Sequence, residues 1–479
     1  MLKEQTTFSS LEEALMYYYG FTDFRPMQKE IIQALLNRKD VLALLPTGTG
    51  KSLCYQLAGY LLEGVVIVIS PLVSLMEDQV NNLWSIGEKR VVALNSLLTP
   101  AEKQYVLQNL SNYKFLFLSP EMASQPIVMQ AISSQKIALL VVDEAHCISQ
   151  WGIDFRPEYR NIDSFKAYLN HPLTLALTAS ATQTVKEELL NLVLSDNYEL
   201  FEQPIDRKNI FLQVMSVDEK LTTLNSLLKN LKGAGIIYCA TRKKVEALYQ
   251  ELKSDYQVAY YHGGLTGNQR QLLQAQFKRN QLQILIATNA FGMGIDKSDI
   301  RFVIHYELPD SLENYVQEIG RAGRDGKQSQ AILLYQANDE QIHYFLQEQQ
   351  KNARIEYESW HEHAPQLLNE QYLSDQQLKW QQQIQKEGYE IFMQRLRSNE
   401  NVKLQMLQKM LAYIQTTKCR RQWLAEYFNN TQPKQPTYCC DIDTDLSPEY
   451  FEQIQVHSNQ QENAEKQWPA IFKKIFKTD

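Results

Sequence analysis

The chain has 479 residues, 44% of them hydrophobic and 22% charged, with a net charge of −7. That length accommodates about three domains with buried cores, and the composition excludes a disordered or disulfide-framed chain. The acidic balance also argues against a charge-driven nucleic-acid binder, so any nucleic-acid surface must be a local basic and aromatic patch.

No apolar run approaches the ~20 residues needed to span a membrane, and no charged-then-apolar leader opens the sequence. Cys54, Cys147 and Cys239 lie in apolar or motif contexts and read as buried free thiols. The expected location is the cytoplasm, with reduced cysteines and no membrane partner.

Residues 1–40 predict amphipathic helices, with Phe21-Thr22-Asp23-Phe24-Arg25-Pro26-Met27-Gln28 leading into a helix over 29–36. Five apolar runs follow: Val41–Leu45, Val65–Ile69, Phe115–Leu118, Ile137–Val142 and Thr174–Leu177. They are rich in Val, Ile and Leu and alternate with helical patterns, which marks strands buried on both faces of a parallel sheet. Each run ends in a polar cluster, and parallel sheets bind ligands beyond the carboxyl ends of their strands. A second set begins after residue 204: Gly235–Cys239, Val258–Tyr261, Ile284–Ala287, Phe302–Tyr306 and Ala331–Tyr335. From residue 341 Gln, Glu, Tyr and Lys dominate at helical spacing, and the stretch around Gln381-Gln382-Gln383 is read as helical because Leu, Trp and Ile are interspersed. The expected fold class is α/β: two tandem parallel-sheet domains over 1–204 and 205–340, a helical module over 341–444, and a tail over 445–479.

The first strand runs into Leu45-Pro46-Thr47-Gly48-Thr49-Gly50-Lys51-Ser52, and a helical pattern leaves it. Strand, glycine loop and helix are the geometry that cradles nucleotide phosphates. Gly48 and Gly50 let the backbone N–H groups of Thr47 to Ser52 curl around an anion at a helix N-terminus. Lys51 adds a charge for the β- and γ-phosphates, and Ser52 a hydroxyl for Mg²⁺. Leu45 stands where the full motif has its first glycine. Asp143-Glu144-Ala145-His146 follows the strand over 137–142. Asp143 suits a Mg²⁺ ion, and Glu144 suits orientation or deprotonation of an attacking water. The second set of strands has no glycine-lysine loop and is expected to close over the nucleotide of the first. Within Trp151–Arg156 an indole, a phenyl ring and a guanidinium lie beside a glycine, faces on which bases stack at roughly 1–3 kcal/mol each. Trp151 and Phe155 also fit a core, as Phe21 fits a helix staple and His146 a satisfied cleft histidine.

These motifs resemble those of superfamily 2 helicases, and further residues narrow the likeness. Phe24-Arg25-Pro26-Met27-Gln28 resembles the adenine-reading motif of RecQ helicases, and Cys147 to Tyr159 resembles their aromatic-rich loop. Ala290-Phe291-Gly292-Met293-Gly294-Ile295-Asp296-Lys297 and Gln317-Glu318-Ile319-Gly320-Arg321-Ala322-Gly323-Arg324-Asp325-Gly326 are similar to RecQ motifs of the second domain. The resemblance spans about residues 15–340 and implies two RecA-like domains. It implies that Gln28 hydrogen-bonds adenine, that Phe21 stacks on it, and that Arg25 and Gln317 belong to the nucleotide site. Arg324 becomes the arginine finger, with Arg321 supporting it. His146 and Ser180 become coupling residues, and the loop holding Trp151, Phe155 and Arg156 a sensor of single-stranded DNA. Ser74, Asn95, His262 and Asn289 become contacts to DNA phosphates or sugars. The implied cofactors are ATP and Mg²⁺.

Cys419-Arg420-Arg421-Gln422-Trp423-Leu424 resembles the start of the RecQ zinc module, which then needs three more cysteines at two-residue spacings. Here Thr437 and Asp443 stand where cysteines belong, and only Cys440 aligns. Cys439 and Cys440 are adjacent and are not expected to share a tetrahedral site. The expectation is a metal-free version of the module, with Cys419, Cys439 or Cys440, and Asp443 as a weak zinc set at most. The overall resemblance is to the short bacterial RecQ-like form without the winged-helix and C-terminal helicase-and-RNase-D domains. It implies an ATP-dependent 3′–5′ DNA helicase acting on single-stranded and on tailed or forked duplex DNA in recombination and repair. The alternatives are an RNA helicase of the same superfamily and a nucleotide-gated strand-binding or annealing clamp.

Overall fold

The computed structural model describes residues 8–148, 159, 161–179, 181–291, 297–369, 371–429 and 435–444. Trp151, Phe155, Arg156, Ser180 and the tail over 445–479 therefore lie outside the described residues. The chain divides into two compact units. Met1–Arg207 forms the body of the first, and Lys208–Phe291 with Lys297–Leu424 the body of the second.

The first unit is built on seven parallel strands: β1 (Asp40–Leu44), β2 (Val65–Ile69), β3 (Val91–Leu94), β4 (Phe115–Leu118), β5 (Ile137–Val142), β6 (Thr174–Thr178) and β7 (Tyr198–Glu202). Their order is β3-β4-β2-β5-β6-β1-β7, all in parallel register. Successive side chains of a strand enter opposite cores. Val66 and Val68 join one with Val41, Ala43 and Val141, while Ile67 and Ile69 join the other with Leu42, Leu140 and Val142. All five residues of β2 are buried, at about 1.5–3 kcal/mol for each large apolar side chain, so the register admits no slip. At the amino edge, Lys166 Nζ meets Asp40 Oδ2 at 3.0 Å with both side chains buried. The Asp40 carboxylate also accepts from the Thr174 and Ser195 N–H groups at 2.7 and 2.8 Å.

The second unit repeats the design with β8 (Ile210–Ser216), β9 (Ala234–Tyr238), β10 (Val258–Tyr261), β11 (Ile284–Ala287), β12 (Ile300–His305) and β13 (Ser329–Tyr335), ordered β10-β11-β9-β12-β13-β8. The module that follows is helical, with long helices Gln341–His363 and Tyr389–Gln415 and a shorter one, Asp375–Glu387, between them. Buried Arg354 on the first bonds Glu400 on the last at 2.7 and 3.0 Å. These helices cluster with the second sheet. Of the strands, β3, β7 and β8 are additional to the ten apolar runs read from the sequence. No helix among the described residues is long and apolar enough to cross a membrane.

Candidate nucleotide site and nucleic-acid interface

The loop after β1 takes the shape its glycines permit. Gly48 and Gly50 have φ of 87° and 82°, and Gly50 opens the helix Lys51–Leu61. The left-handed conformation costs an L side chain roughly 1–2 kcal/mol, so glycine belongs there. Lys51 Nζ is buried and has no hydrogen-bond partner among the described residues. A buried ammonium without a partner marks a place built for an anion.

Asp143 and Glu144 follow β5 and are both buried. Between β5 and β1 in the sheet lies β6, so the two motifs end strands that flank a third and are not immediate neighbours. Burial, and then the Glu144 charge, push the Asp143 carboxyl well above the ordinary range, to about 7, against the opposing effect of Lys51. Glu144 is held at φ 47°, strained backbone for a non-glycine residue, with its N–H donating to Asp143 Oδ1 at 3.0 Å. The Tyr159 hydroxyl donates to the Asp143 carbonyl at 2.8 Å and fixes the same turn. His146 Nδ1 lies 2.9 Å from Thr178 Oγ1 at the end of β6 and 3.4 Å from Glu144 Oε2. Burial lowers its pKa, outweighing the Glu144 charge, so the ring is neutral at pH 7. Thr178 thus joins the acidic box to the end of β6.

The segment before the helix Gln28–Leu36 braces the loop. Gln28 is buried, and its Nε2 donates to the carbonyls of Thr49 and Gly50, both at 3.0 Å. Its Oε1 accepts from the Arg25 N–H at 2.9 Å, and Arg25 Nη1 donates to the Gly48 carbonyl at 2.5 Å. Both polar edges of the Gln28 amide are therefore engaged by main chain in this structure. Phe21 is 55% exposed, a free ring face with Tyr19 stacked beside it at 6.3 Å. Arg207 Nη1 donates to the Thr47 carbonyl at 3.2 Å, and Thr49 Oγ1 to the Pro46 carbonyl at 2.8 Å. Ser52 is the second residue of the loop's helix and is half-buried.

In the second unit Gln317 is buried on the helix Leu312–Ile319, and Arg321 and Arg324 follow it. Arg321 is 2% exposed, and its Nε has no hydrogen-bond partner among the described residues. The charges of both arginines bear on the Tyr238 hydroxyl, which donates to the Phe291 carbonyl at 2.7 Å. The ends of β9, β11 and β10 are consecutive along the sheet and carry Arg242, Asn289 and His262.

Of the residues expected at nucleic acid, Asn289 is exposed and Ser74 half-buried at the start of the helix Val73–Ser85. Asn95 is wholly buried; it donates to Glu77 at 2.7 Å and accepts from the Leu97 N–H at 2.8 Å. His262 is buried too, with Nε2 at 3.0 Å from Glu246 and Nδ1 accepting from the Gly264 N–H at 3.2 Å. In this structure these two side chains tie their turns to Glu77 and Glu246 on neighbouring helices. Arg242 was not singled out by sequence reasoning. It is exposed, and its guanidinium lies beside the Gly263-Gly264 backbone, where a Cβ on either glycine would meet it at 3.4–3.5 Å. The signal for it was its place directly after a strand end, behind the helix cap Thr241.

Cys419, Cys439, Cys440 and Asp443 form a cluster whose ligand atoms all lie within 4.8 Å of one another. Cys419 and Cys439 sulfurs are 3.6 Å apart, and Cys440 Sγ lies 3.2 Å from Asp443 Oδ2. Adjacent cysteines do share this site, contrary to the sequence argument. In an extended strand successive side chains oppose each other. Here the chain turns at Cys440, whose carbonyl accepts from the Asp443 and Thr444 N–H groups.

Two parallel sheets, one ending in a phosphate loop and an acidic pair and the other without a loop of its own, define the class of RecA-like helicase motors. The sequence matches the DEAD/DEAH box helicase family over residues 25–188, the helicase conserved C-terminal domain over 219–326, and the RecQ zinc-binding family over 375–444. It is 48% identical over 346 residues to the probable ATP-dependent DNA helicase RecS of Bacillus subtilis, covering 71% of this chain and 69% of that one. To the ATP-dependent DNA helicase RecQ of Pasteurella multocida it is 40% identical over 352 residues, covering 72% and 56%. Among solved structures, the Mycobacterium smegmatis helicase Lhr bound to ssDNA and AMP-PNP shares the fold at a TM-score of 0.57 and 20% identity, over 68% of this chain and 47% of that one. Helicase MrfA bound to DNA does so at 0.59 and 19%, over 72% and 54%. The chain belongs to the RecQ family of ATP-dependent DNA helicases. It spans little more than half the length of the RecQ relatives it matches.

A helicase of this family uses ATP with Mg²⁺, and the first unit fits both: the buried Lys51 ammonium suits phosphate, and the buried Asp143 carboxylate suits a divalent cation.

Proposed function

We propose that the chain is an ATP-driven motor that moves 3′ to 5′ along single-stranded DNA and opens tailed or forked duplexes in recombination and repair. The observation that carries this reading is the buried Lys51 ammonium, without a hydrogen-bond partner among the described residues, at the head of a helix whose loop is braced from Arg25, Gln28 and Arg207. Lys51 and the main-chain N–H groups over 47–52 hold the β- and γ-phosphates. Ser52 and Asp143 hold Mg²⁺, which supplies charge neutralisation when bound. Glu144 orients the attacking water from its strained turn, and Phe21 offers its exposed face to the base. Arg324 and Arg321 supply transition-state charge, with Gln317 beside them; RecQ-like motif order supports these roles. DNA backbone contacts fall to Ser74, Asn289 and Arg242, with Trp151, Phe155 and Arg156 as the stacking sensor. His146, joined to Thr178, and Ser180 pass the state of one site to the other. Domain limits of 1–204, 205–340 and 341–444, with a tail over 445–479, describe the working parts. Six free cysteines fit the reduced cytoplasm.

The deciding experiment is strand displacement on duplexes with 3′ tails, 5′ tails and RNA tails, with ATPase stimulation measured on each strand. Unwinding and turnover are expected with the 3′-tailed DNA. Equal or greater activity on RNA, or annealing without displacement, overturns the proposal.

A further inference from the structure

The helix Leu312–Ile319 carries Gln317 and leads into Arg321 and Arg324, and every residue of it except Asn314 is buried. It is seated on the second sheet and on the helical module by different groups. On the sheet side, His305 Nε2 at the end of β12 lies 2.8 Å from Glu318 Oε2, with both side chains buried. The turn that follows the helix is pinned to the start of the same strand. The Gly323 N–H donates to the Ile300 carbonyl at 2.8 Å, and Arg301 Nη2 bonds Asp325 Oδ1 at 2.7 Å. On the module side, buried His343 of the helix Gln341–His363 donates from Nε2 to the Leu308 carbonyl at 2.7 Å, just ahead of the seated helix. Tyr413 of the helix Tyr389–Gln415 places its hydroxyl 3.3 Å from the Tyr315 hydroxyl, with ring centroids 5.3 Å apart and both residues wholly buried. Tyr413 is itself clamped. Arg420 Nη1 donates to its carbonyl at 2.9 Å, the Arg420 guanidinium lies 5.5 Å from its ring, and Trp423 meets that ring edge-on at 5.6 Å.

Two phenylalanines would bury the same rings without taking a hydroxyl out of water. What the hydroxyl pair adds is direction, because an O–H must point at its acceptor. Tyr315 and Glu318 are three residues apart and so lie on one face of their helix. The bond to Tyr413 and the bond to His305 therefore fix that face against two neighbours at once. The Arg321 N–H donates to the Glu318 carbonyl at 3.2 Å, so a rotation of the helix passes directly into the turn that bears the arginines. We infer that Tyr413 is a positioning residue for ATP hydrolysis, holding the Leu312–Ile319 helix through Tyr315 at the rotation from which Arg324, with Arg321 beside it, serves the reaction. The inference rests on the roles proposed above for these arginines. It makes a helix of the module part of the hydrolytic machinery without contact with the reacting atoms. Burial raises both phenols above their ordinary range, Tyr315 to about 12, so the pair keeps its protons across neutral pH.

ATP turnover of the full chain is measured with single-stranded DNA as kcat and KM, with calorimetry on the same samples. Tyr413→Phe and Tyr315→Phe keep the rings and remove one hydroxyl each. Each is expected to lower kcat about tenfold with KM for ATP held within about twofold, because a misplaced group costs rate more than binding. The double variant is expected to lose no more than either single one, since the two hydroxyls make one bond. Tyr413→Phe is expected to cost less in an Arg324→Lys background than alone, as groups that act as a unit are not additive. Tyr357, buried in the same module and edge-on to Trp380 at 6.1 Å, supplies the control, and Tyr357→Phe is expected to leave kcat unchanged. An unchanged kcat in Tyr413→Phe and Tyr315→Phe, an equal fall in Tyr357→Phe, or the full loss repeated in the Arg324→Lys background overturns the inference. If Tyr413→Phe does not fold, Tyr315→Phe carries the same test. Turnover undiminished in Arg324→Lys and Arg324→Ala overturns the arginine assignment and the route from Tyr413 with it. Turnover lost in those variants but intact in Tyr413→Phe overturns the inference alone.

Discussion

Gln28 is expected to read adenine, yet its amide braces the phosphate loop, and Gln28→Met tests which of the two it does. Methionine keeps the volume but removes the donor to the Thr49 and Gly50 carbonyls and the acceptor for the Arg25 N–H. Three hydrogen bonds at a position 2% exposed are lost, and two loop carbonyls lose a partner inside the protein. At a net ~0.5–1.5 kcal/mol per bond, plus part of the penalty for unsatisfied groups, the cost is about 2–4 kcal/mol. For a unit of roughly 200 residues that lowers the first unfolding transition by about 5–15 °C. The loop must then be ordered by the ligand, and each 1.4 kcal/mol of ordering weakens nucleotide binding about tenfold. Because the brace acts on phosphates common to all nucleoside triphosphates, KM for ATP and GTP should rise by the same factor. Differential scanning calorimetry and steady-state turnover with both nucleotides measure this. A transition moved by less than about 2 °C, or a loss confined to ATP, would refute the bracing argument and return Gln28 to adenine recognition.

The remaining predictions concern charge. Lys51→Ala should cut ATP turnover by about 10²–10³-fold while leaving single-stranded DNA binding by fluorescence anisotropy intact, since it removes one preorganised charge at the phosphates. Glu144→Gln should abolish turnover yet retain nucleotide binding, with isothermal titration as the check. Asp143 has a folded pKa raised above its unfolded value, so the metal-free fold holds its proton until about pH 7 and loses that contribution as pH rises through it. Mg²⁺ bound at the carboxylate favours the ionised form, so the rise in Tm given by Mg²⁺ and a nonhydrolysable nucleotide should grow between pH 6 and 8; a flat increment would contradict the assignment. Lys166→Met strands the buried Asp40 carboxylate and should cost about 3–5 kcal/mol in urea unfolding, whereas an unchanged midpoint would show that the Thr174 and Ser195 N–H groups alone suffice.

Apart from β10, itself a sheet edge, the strands that sequence patterning found are flanked on both sides. β2 reads Val65-Val66-Ile67-Val68-Ile69 and is buried throughout. The three it missed, β3, β7 and β8, are all sheet edges. β7 reads Tyr198-Glu199-Leu200-Phe201-Glu202, half in solvent along its length, and pairs only with β1. β8 begins apolar and ends exposed. An edge strand is specified by its one neighbour and by what covers it, and neither is written in its own residues. Strand ends shifted by a residue or two, as at β1 and β12.

Site residues were legible by type and place, because glycine, lysine and paired carboxylates have few other uses at the ends of buried strands. Their hydrogen-bond partners were not. Asn95 and His262 were expected at DNA, yet each places one polar atom on its own turn and the other on a glutamate of a neighbouring helix, Glu77 and Glu246. A side chain that satisfies its neighbours within the fold has no capacity left for a ligand unless those bonds break, and breaking a buried one costs about 1–3 kcal/mol. Arg242, exposed beside two glycines, carries no such cost. The same accounting separates Lys51 from Lys166. Both ammonium groups are buried, but Lys166 has a carboxylate and the Val193 carbonyl while Lys51 has no hydrogen-bond partner among the described residues. Position along a strand selects the candidates, and unsatisfied bonding capacity decides which of them are built to receive something from outside.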